Sequence, residues 1–302
     1  EGEEIEIYED TGCAASTMVT DGKRVYAIFA TGDVYALDFE GNKVWEKHFG
    51  IPDSAYGYAT SLAMYRNLLL IQLDQGEDDD DKSVLYALNG KSGQVVWQKK
   101  RPVAGSWTSP IVIQTDKNEQ IITCSDPLVI SYDAATGKEL WRADIMGSDV
   151  APSQVYANGL VFVVQPYDSL FAIRPDGRGD ITETHIAWTA EDGIPDIASP
   201  VSNGELIFLL DTGGYITCYE TRTGKKVWED DLGEEFQSSP SVVGEHLYLL
   251  SLKGVMHIIK AGREFVKISQ SPLGEPSTCS PAFGDGRIYI RGEKHLFCIG
   301  KE

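Results

Sequence analysis

Glycine and tryptophan recur together along this chain. A glycine stands four residues before a tryptophan at Gly41/Trp45, Gly93/Trp97, Gly137/Trp141 and Gly224/Trp228. The flanking residues recur as well, as in the strings YDAATGKELW and YETRTGKKVW. Self-similarity at a period of roughly forty to fifty residues indicates an array of one supersecondary unit. Because stacked units share a continuous core, we expect a single domain over residues 1–302.

Each unit carries four strand signals. The inner strand opens at a Ser-Pro or equivalent pair, such as Ala151-Pro152 or Ser199-Pro200, and an Asp-Gly or Asn-Gly turn follows. Such dipeptides favour the positive φ angles of tight hairpins. Three more strands complete the unit. The second strand is rich in β-branched and aromatic residues, the third has the form Tyr35-Ala36-Leu37, and the fourth contains the tryptophan. Short, evenly spaced strands without an amphipathic helical stretch predict four-stranded antiparallel sheets arranged radially, which is a β-propeller.

The outer strands give the number of blades. Their signature positions are Trp45, Trp97, Trp141, Trp188, Trp228 and, in a degenerate copy, Val266. The seventh unit stops at Ile299-Gly300, before any outer strand, whereas residues 4–8 alternate polar and apolar like a lone strand. We therefore predict an all-β, seven-bladed propeller that this N-terminal strand closes by completing the last blade, which removes an exposed sheet edge. An open solenoid is the alternative.

The charge restricts the class of partner. Twenty-six basic against 46 acidic residues give a formal net charge of −20, which repels phosphate backbones and anionic lipid. We therefore expect no nucleic acid partner. We also expect no transmembrane segment, because no apolar run approaches the ~18 residues of a membrane helix. The first residues, EGEEIEIYED, lack the basic start and apolar segment of a signal peptide. We expect a monomer.

Catalytic signatures are absent from the sequence. It contains no GxSxG, HExxH or P-loop motif, and no GxGxxG that follows a strand. The five cysteines have neither zinc-site nor haem-attachment spacing, and the five histidines are scattered over different units. These absences favour a binding role over catalysis.

Propeller topology predicts where a ligand would bind. The connections from outer to inner strands and the loops between second and third strands share one face, and loops on a rigid frame commonly carry function. The candidate ligand-binding residues on this funnel face are Tyr56, Tyr58, Trp107, Asp149, Asp196 and Phe236. Aromatic rings with carboxylates suit a sugar, a peptide or a cationic group. Alternatively, Tyr58 and Trp107 are packing residues of the axial channel.

Two further segments are rich in acids. Loop 74–82, DQGEDDDDK, could bind calcium through its carboxylates, although a solvated acidic loop also accounts for it. Loop 176–183, DGRGDITE, allows a calcium turn, an integrin-type Arg-Gly-Asp tripeptide or a long hydrogen-bonded Asx loop, and we favour the last.

The units resemble the pyrroloquinoline quinone (PQQ) enzyme repeat, whose consensus has the form YALDAxTGKxxW. This resemblance covers nearly the whole chain and includes both quinoprotein dehydrogenases and the non-catalytic, BamB-like scaffolds of outer-membrane assembly. It implies that the five repeat tryptophans are structural and wedge between blades. In the enzymes it also implies eight blades, a disulfide between adjacent cysteines over the quinone, and a calcium held by Glu, Asn and Asp. No two cysteines are adjacent here, so we expect no cofactor; PQQ and calcium stay open as alternatives that no motif supports.

Three hypotheses follow. The first is a non-catalytic binding or scaffold module that holds a protein, peptide or glycan through its funnel face. The second is a PQQ- and calcium-dependent oxidoreductase with its site near Trp107. The third is a carbohydrate-active enzyme with paired carboxylates such as Asp149 and Asp196. The resemblance also implies a periplasmic or other extracytoplasmic location.

Overall fold

The computed structural model describes residues 12–147 and 149–300. In these residues the chain is all-β: it contains no helix, so none that could cross a membrane, and its strands form seven sheets. The fold is the seven-bladed β-propeller that the repeat predicts. By contacts the chain divides into two compact units, Glu1–Val150 with Pro175–His185, and Ala151–Arg174 with Ile186–Glu302.

Unit 1 contains three blades. Blade one comprises β1 (Val19–Thr20), β2 (Arg24–Ile28), β3 (Asp33–Asp38) and β4 (Lys43–His48). Blade two comprises β5 (Ala63–Tyr65), β6 (Leu68–Leu73), β7 (Val84–Asn89) and β8 (Val95–Lys100). Blade three comprises β9 (Ile111–Gln114), β10 (Glu119–Cys124), β11 (Leu128–Asp133) and β12 (Glu139–Asp144). Neighbouring strands within each blade are antiparallel.

Unit 2 contains four blades. Blade four comprises β13 (Val155–Ala157), β14 (Leu160–Gln165), β15 (Ser169–Ile173) and, after the two-residue β16 (Gly179–Asp180), β17 (Ile186–Ala190). Blade five comprises β18 (Val201–Ser202), β19 (Leu206–Leu210), β20 (Tyr215–Glu220) and β21 (Lys226–Asp231). Blade six comprises β22 (Ser241–Val243), β23 (His246–Leu250), β24 (Val255–Lys260) and β25 (Lys267–Pro272).

Blade seven has three strands in the described part of the chain: β26 (Ala282–Gly284), β27 (Arg287–Arg291) and β28 (Leu296–Gly300). The strand predicted to complete it, residues 4–8, lies outside the described residues. Closure by the N-terminus therefore stays a prediction.

Hydrophobic side chains fill the space between successive blades. Strand β6 is buried at every position because neighbouring blades cover both of its faces. Leu69 and Ile71 pack with Tyr26 of blade one, whereas Leu70 packs with Ile121 of blade three. In unit 2, Phe208 of blade five packs with Leu247 of blade six in the same way. Alternation along each strand thus holds neighbouring blades together, since successive side chains point to opposite faces.

A row of serines ties the inner strands together within each unit. In unit 1, backbone N–H groups donate to the serine hydroxyl of the next blade, from Thr17 to Ser61 and from Ser61 to Ser109, both at 3.0 Å. In unit 2 the same bonds run from Ser153 to Ser199 (2.9 Å), Ser199 to Ser239 (3.0 Å) and Ser239 to Ser280 (2.9 Å). The prediction that Ala151-Pro152 opens an inner strand is therefore off by two residues, because Ser153 makes the bond.

The repeat tryptophans contact the glycine turn of the following blade. The indole N–H of Trp45 donates to the Gly90 carbonyl oxygen at 2.8 Å, and its ring covers Gly93. The same donation occurs from Trp188 to Thr221 (3.0 Å) and from Trp228 to Gly262 (2.9 Å). The ring of Trp97 lies against Gly137. Trp141 is fully buried and donates to Gln120 Oε1 (3.0 Å) and the Pro175 carbonyl (3.2 Å).

Residues 175–185 cover the outer edge of blade three. Strand β16 pairs in parallel with β12, placing Gly179 opposite Trp141. Asp180 Oδ1 accepts hydrogen bonds from the backbone N–H (3.0 Å) and hydroxyl (2.7 Å) of Thr182, while Ile181 is 1% exposed. The segment is thus a hydrogen-bonded Asx loop, the interpretation we favoured. Its Gly-Asp pair is part of the sheet.

Candidate binding site

Five loops of unit 1 enclose a cavity of about 360 Å³. Four of them connect β4 to β5, β6 to β7, β8 to β9 and β10 to β11, and the fifth is the part of this unit that follows β12. The charged and aromatic side chains that line the cavity are Asp53, Glu77, Asp80, Trp107, Asp126 and Asp149. All five loops are of the two kinds that topology predicts on one face, so within this unit the prediction of a shared face is confirmed.

Backbone hydrogen bonds fix the cavity loops to one another. The N–H of Gly76 donates to the Asp53 carbonyl at 3.0 Å, and the N–H of Gly105 donates to the Gly76 carbonyl at 2.9 Å. The N–H of Ala104 donates to Asp126 O at 2.9 Å. The N–H of Trp107 donates to the Val150 carbonyl at 3.0 Å. The cavity is therefore preformed, which reduces the ordering entropy that a ligand must offset.

The cavity is strongly acidic. Five carboxylates line it, and Lys82 contacts two of them: its Nζ lies 2.7 Å from Asp53 Oδ2 and 2.7 Å from Asp80 Oδ2. These two carboxylates raise the pKa of Lys82, and hydrogen bonding by Lys82 lowers the pKa of Asp80. Even with Asp126 left out of the count, one ammonium faces four carboxylates, so the cavity favours positively charged ligands.

The ring of Trp107 lines the cavity, and the ring of Tyr56 packs against it. The ring centroids of Tyr56 and Trp107 are 4.9 Å apart in an edge-to-face arrangement. The indole Nε1 of Trp107 is shielded from solvent and has no hydrogen-bond acceptor among the residues the structure describes. Of these residues, predicted from three different loops, Trp107 and Asp149 therefore line one cavity, and Tyr56 contacts Trp107.

A buried polar network lies among the strand ends beside the cavity loops. Arg101 and Asp74 have 0% exposed side chains, and Arg101 Nη1 is 2.9 Å from Asp74 Oδ1. Asp74 Oδ2 also accepts hydrogen bonds from Gln72 Nε2 (2.7 Å) and Ser106 Oγ (2.9 Å). Ser125 bonds both members of the pair. Several donors on one carboxylate are what a buried charge requires, so the pair orders the loop segments on which the cavity is built.

Asp74 corrects one expectation. As part of loop 74–82 it was interpreted as a solvated or calcium-binding residue, yet its carboxylate is buried. Across residues 12–147 and 149–300, no three His, Cys, Asp or Glu side chains are placed to hold a metal ion.

The remaining candidate residues lie elsewhere. Tyr58 is 3% exposed and Phe236 0% exposed, so both are core residues and are not placed to meet a ligand. Burial raises the pKa of Tyr58 well above its usual value. Asp196 lies in unit 2, where Oδ1 accepts a hydrogen bond from the Thr212 hydroxyl at 2.5 Å and Oδ2 from the Tyr167 hydroxyl at 3.3 Å.

The residues present do not fit the quinone site of the enzymes. That site needs a disulfide between adjacent cysteines, whereas Cys13, Cys124, Cys218, Cys279 and Cys298 are separate in sequence and all are free thiols. Burial raises the pKa of the Cys124 thiol to about 12, as it does for Cys218. The acidic cavity at Trp107 also disfavours PQQ, which carries three carboxylates of its own.

The fold and its repeats define the chain as a PQQ-like β-propeller. The family model described as outer membrane protein assembly factor BamB matches residues 80–198 and 178–270. The chain belongs to this BamB family.

Two kinds of protein are similar to this chain: a tetrathionate hydrolase and BamB assembly factors. Tetrathionate hydrolase of Acidithiobacillus ferrooxidans is 23% identical over 258 residues, covering 79% of this chain and 49% of the hydrolase. Outer membrane protein assembly factor BamB of Moranella endobia is 22% identical over 186 residues, covering 59% of this chain and 46% of that protein. The chain thus spans about half the length of these two curated relatives. The crystal structure of BamB from Moraxella catarrhalis matches with a TM-score of 0.70 at 16% identity, covering 92% of this chain and 80% of that chain.

Proposed function

We propose that this chain is a non-catalytic binding module that holds a protein partner at the loops of its funnel face. The observation that carries the proposal is that Trp107 and Asp149 line one preformed, acidic cavity, with Tyr56 packed edge-on against Trp107. A rigid cavity with an aromatic wall and several carboxylates suits a protruding segment of a partner, because aromatic anchors supply much of the energy of protein interfaces. The membership of the chain in a family of assembly factors supports a protein partner over a glycan.

The hydrolase relative raises an alternative that the charge disfavours. Tetrathionate is a dianion, and a cavity with five carboxylates opposed by Lys82 repels anions. The same argument applies to the quinoprotein hypothesis. We therefore do not extend either activity to this chain.

An extracytoplasmic location is part of the proposal. It is supported by the family to which the chain belongs, since the model of that family is described as an outer membrane protein assembly factor. The test is alkaline phosphatase, which is active only after export, fused to the C-terminus of the protein as the source cell itself produces it. An inactive fusion in cells that accumulate the protein would contradict this location.

Photo-crosslinking in the source cell tests the binding function. A photoreactive amino acid replaces Ala55, an exposed residue at the cavity, in the full chain. The control carries it at Val96, which is 53% exposed on outer strand β8. We expect a defined protein adduct from position 55 that is absent from position 96 and lost when Trp107→Ala is added. Identical adducts from both positions, or an adduct that survives Trp107→Ala, would contradict the proposed site.

A further inference from the structure

Tyr167 is displayed to solvent in a conformation that tyrosine rarely adopts. Its side chain belongs to the turn between β14 and β15 and is 83% exposed. Its φ angle is +61°, in the left-handed region that favours glycine. The turn is closed by a hydrogen bond from the N–H of Asp168 to the Gln165 carbonyl at 3.1 Å.

The corresponding turns of other blades use glycine at the positive φ angle. They end at Gly32 in blade one, Gly214 in blade five and Gly254 in blade six, with φ angles of +76°, +99° and +75°. In each, a Cβ would collide with a backbone carbonyl of the same blade. Blade four departs from this pattern with the string QPYDS: Asp168 stands at the place of those glycines, and the positive φ angle falls one residue earlier, on Tyr167. The strained backbone conformation in this turn therefore lies at Tyr167, the residue that exposes an aromatic ring.

The ring of Tyr167 is held in place although it is exposed. Its hydroxyl donates to Asp196 Oδ2 at 3.3 Å. The hydroxyl of Thr212 (2.5 Å) and its N–H (3.3 Å) donate to Asp196 Oδ1. The carboxylate next to the ring raises the pKa of Tyr167. An aromatic ring and a carboxylate are thus fixed side by side at the loop end of unit 2.

We infer that Tyr167 and Asp196 form an anchor site for an arginine side chain of a partner segment. The inference rests on the proposed binding function. It adds a second contact, in unit 2, that recognises a guanidinium group. A guanidinium is planar and weakly hydrated, so it stacks on an exposed tyrosine ring while it donates to an adjacent carboxylate. Lysine satisfies these two contacts less well, because its ammonium is a strongly hydrated point charge.

The charges around the pair support a cationic ligand. Within the described part of the chain, the hydrogen bonds to Asp196 come from hydroxyl and amide donors and not from a cation, so its negative charge is not neutralised. Asp168 and Asp211 adjoin Tyr167 and Thr212 in sequence, and the whole chain carries −20. A basic segment therefore approaches with a favourable long-range field.

Peptide titration of the full chain tests the inference. The probes are two fluorescently labelled twelve-residue peptides of alternating arginine and glycine or alternating lysine and glycine. We expect the arginine peptide to bind more tightly than the lysine peptide, and Tyr167→Gly to weaken it about tenfold, the size of one good cation–π contact. Asp196→Asn should weaken it by a similar factor through the lost charge.

The variants separate loss of binding from loss of fold. Tyr167→Gly leaves the net charge unchanged and removes the strain, so its melting temperature should equal or exceed that of the wild type. Asn158→Gly is the matched control, because Asn158 has a φ of +51° in the turn at the other end of β14. It should leave peptide affinity unchanged.

Three outcomes would overturn the inference. They are an arginine peptide that does not bind, equal affinity for both peptides, and equal affinity of Tyr167→Gly and wild type. Each leaves the crosslinking test of the cavity intact, because that test probes unit 1 and these substitutions lie in unit 2.

Discussion

The indole ring of Trp45 lies directly against the backbone of Gly93: a Cβ atom at position 93 would be 2.8 Å from ring carbons Cδ2 and Cε3. Gly93 also has a φ of +69°. Two requirements, space for the ring and a left-handed backbone, therefore exclude a side chain at this position. The same relationship joins Trp97 to Gly137 and Trp188 to Gly224, which explains why the glycine recurs with the tryptophan.

Replacing Gly93 by alanine should therefore destabilise the fold on two counts. The positive φ costs about 1 kcal/mol and the collision with Trp45 about 1–3 kcal/mol more. The matched control is Gly22→Ala, where φ is +78° but a Cβ would meet nothing within 4 Å. We expect the control to show the backbone cost alone in urea unfolding. Equal losses for the two variants would mean that the ring contact contributes nothing.

Truncation of the tryptophans should follow their burial. Trp141 is 0% exposed and has two acceptors for its indole N–H, so Trp141→Ala should cost about 3–5 kcal/mol of unfolding free energy. Trp97 is partly exposed, and its Nε1 lacks an acceptor among the described residues, so Trp97→Ala should cost less. Denaturant midpoints of the two variants provide the comparison. A larger loss at Trp97 would contradict the packing described here.

The blades were predictable because their signals are local. Glycine, tryptophan and the hairpin dipeptides lie within one unit of about forty residues, so sequence spacing reveals them. The covering of blade three by residues 175–185 was not predictable, because the two-residue β16 finds its partner in another blade. The predicted start of blade four was displaced by two residues because its Ala-Pro pair resembles the Ser-Pro of other blades, whereas the backbone N–H of Ser153 makes the hydrogen bond and β13 begins at Val155.

Breaking the buried ion pair of Asp74 and Arg101 should strongly lower the free energy of unfolding. Asp74→Asn leaves a fully buried guanidinium without its counter-charge, for which about 3–5 kcal/mol is typical. The double variant Asp74→Leu/Arg101→Met should recover most of that loss, since neither charge then remains buried. The control is Asp53→Asn, whose partner Lys82 is 45% exposed and whose loss should cost under ~1 kcal/mol. A double variant no more stable than Asp74→Asn would show that the pair is irreplaceable.

Part of the candidate site could be predicted from the topology of the propeller, and part could not. Tyr56, Trp107 and Asp149 meet because propeller loops of known kinds share a face, which the order of strands determines. Asp74 was hidden in a run of acids that otherwise resembles a solvated loop, and its burial depends on Arg101, 27 positions away. Tyr167 was missed because an aromatic residue is ordinary in a β-rich chain. The available signal was the absence of glycine from its turn.

His257 should make the stability of the chain depend on pH. Its side chain is 6% exposed, packs edge-on to Phe236 at 5.6 Å and lies 3.5 Å from Glu234 Oε1. Burial lowers the pKa of His257, and the opposing effect of Glu234 is smaller. In the unfolded chain the imidazole binds a proton near pH 6.5. The unfolded state therefore holds more protons just below that pH, and the free energy of unfolding falls as the pH is lowered through it.

Urea unfolding of the wild type and His257→Gln at pH 7.5 and pH 5.5 measures this effect. We expect the wild type to lose more stability than the variant between the two pH values, because the depressed carboxylate pKa values found here contribute mainly below this window and are common to both proteins. Lys267 acts in the same direction as burial on His257, so Lys267→Gln should reduce the wild-type loss without removing it. If wild type and His257→Gln lost the same stability, the pKa of His257 would be equal in the folded and unfolded chain, which would mean that Glu234 fully offsets the effect of burial.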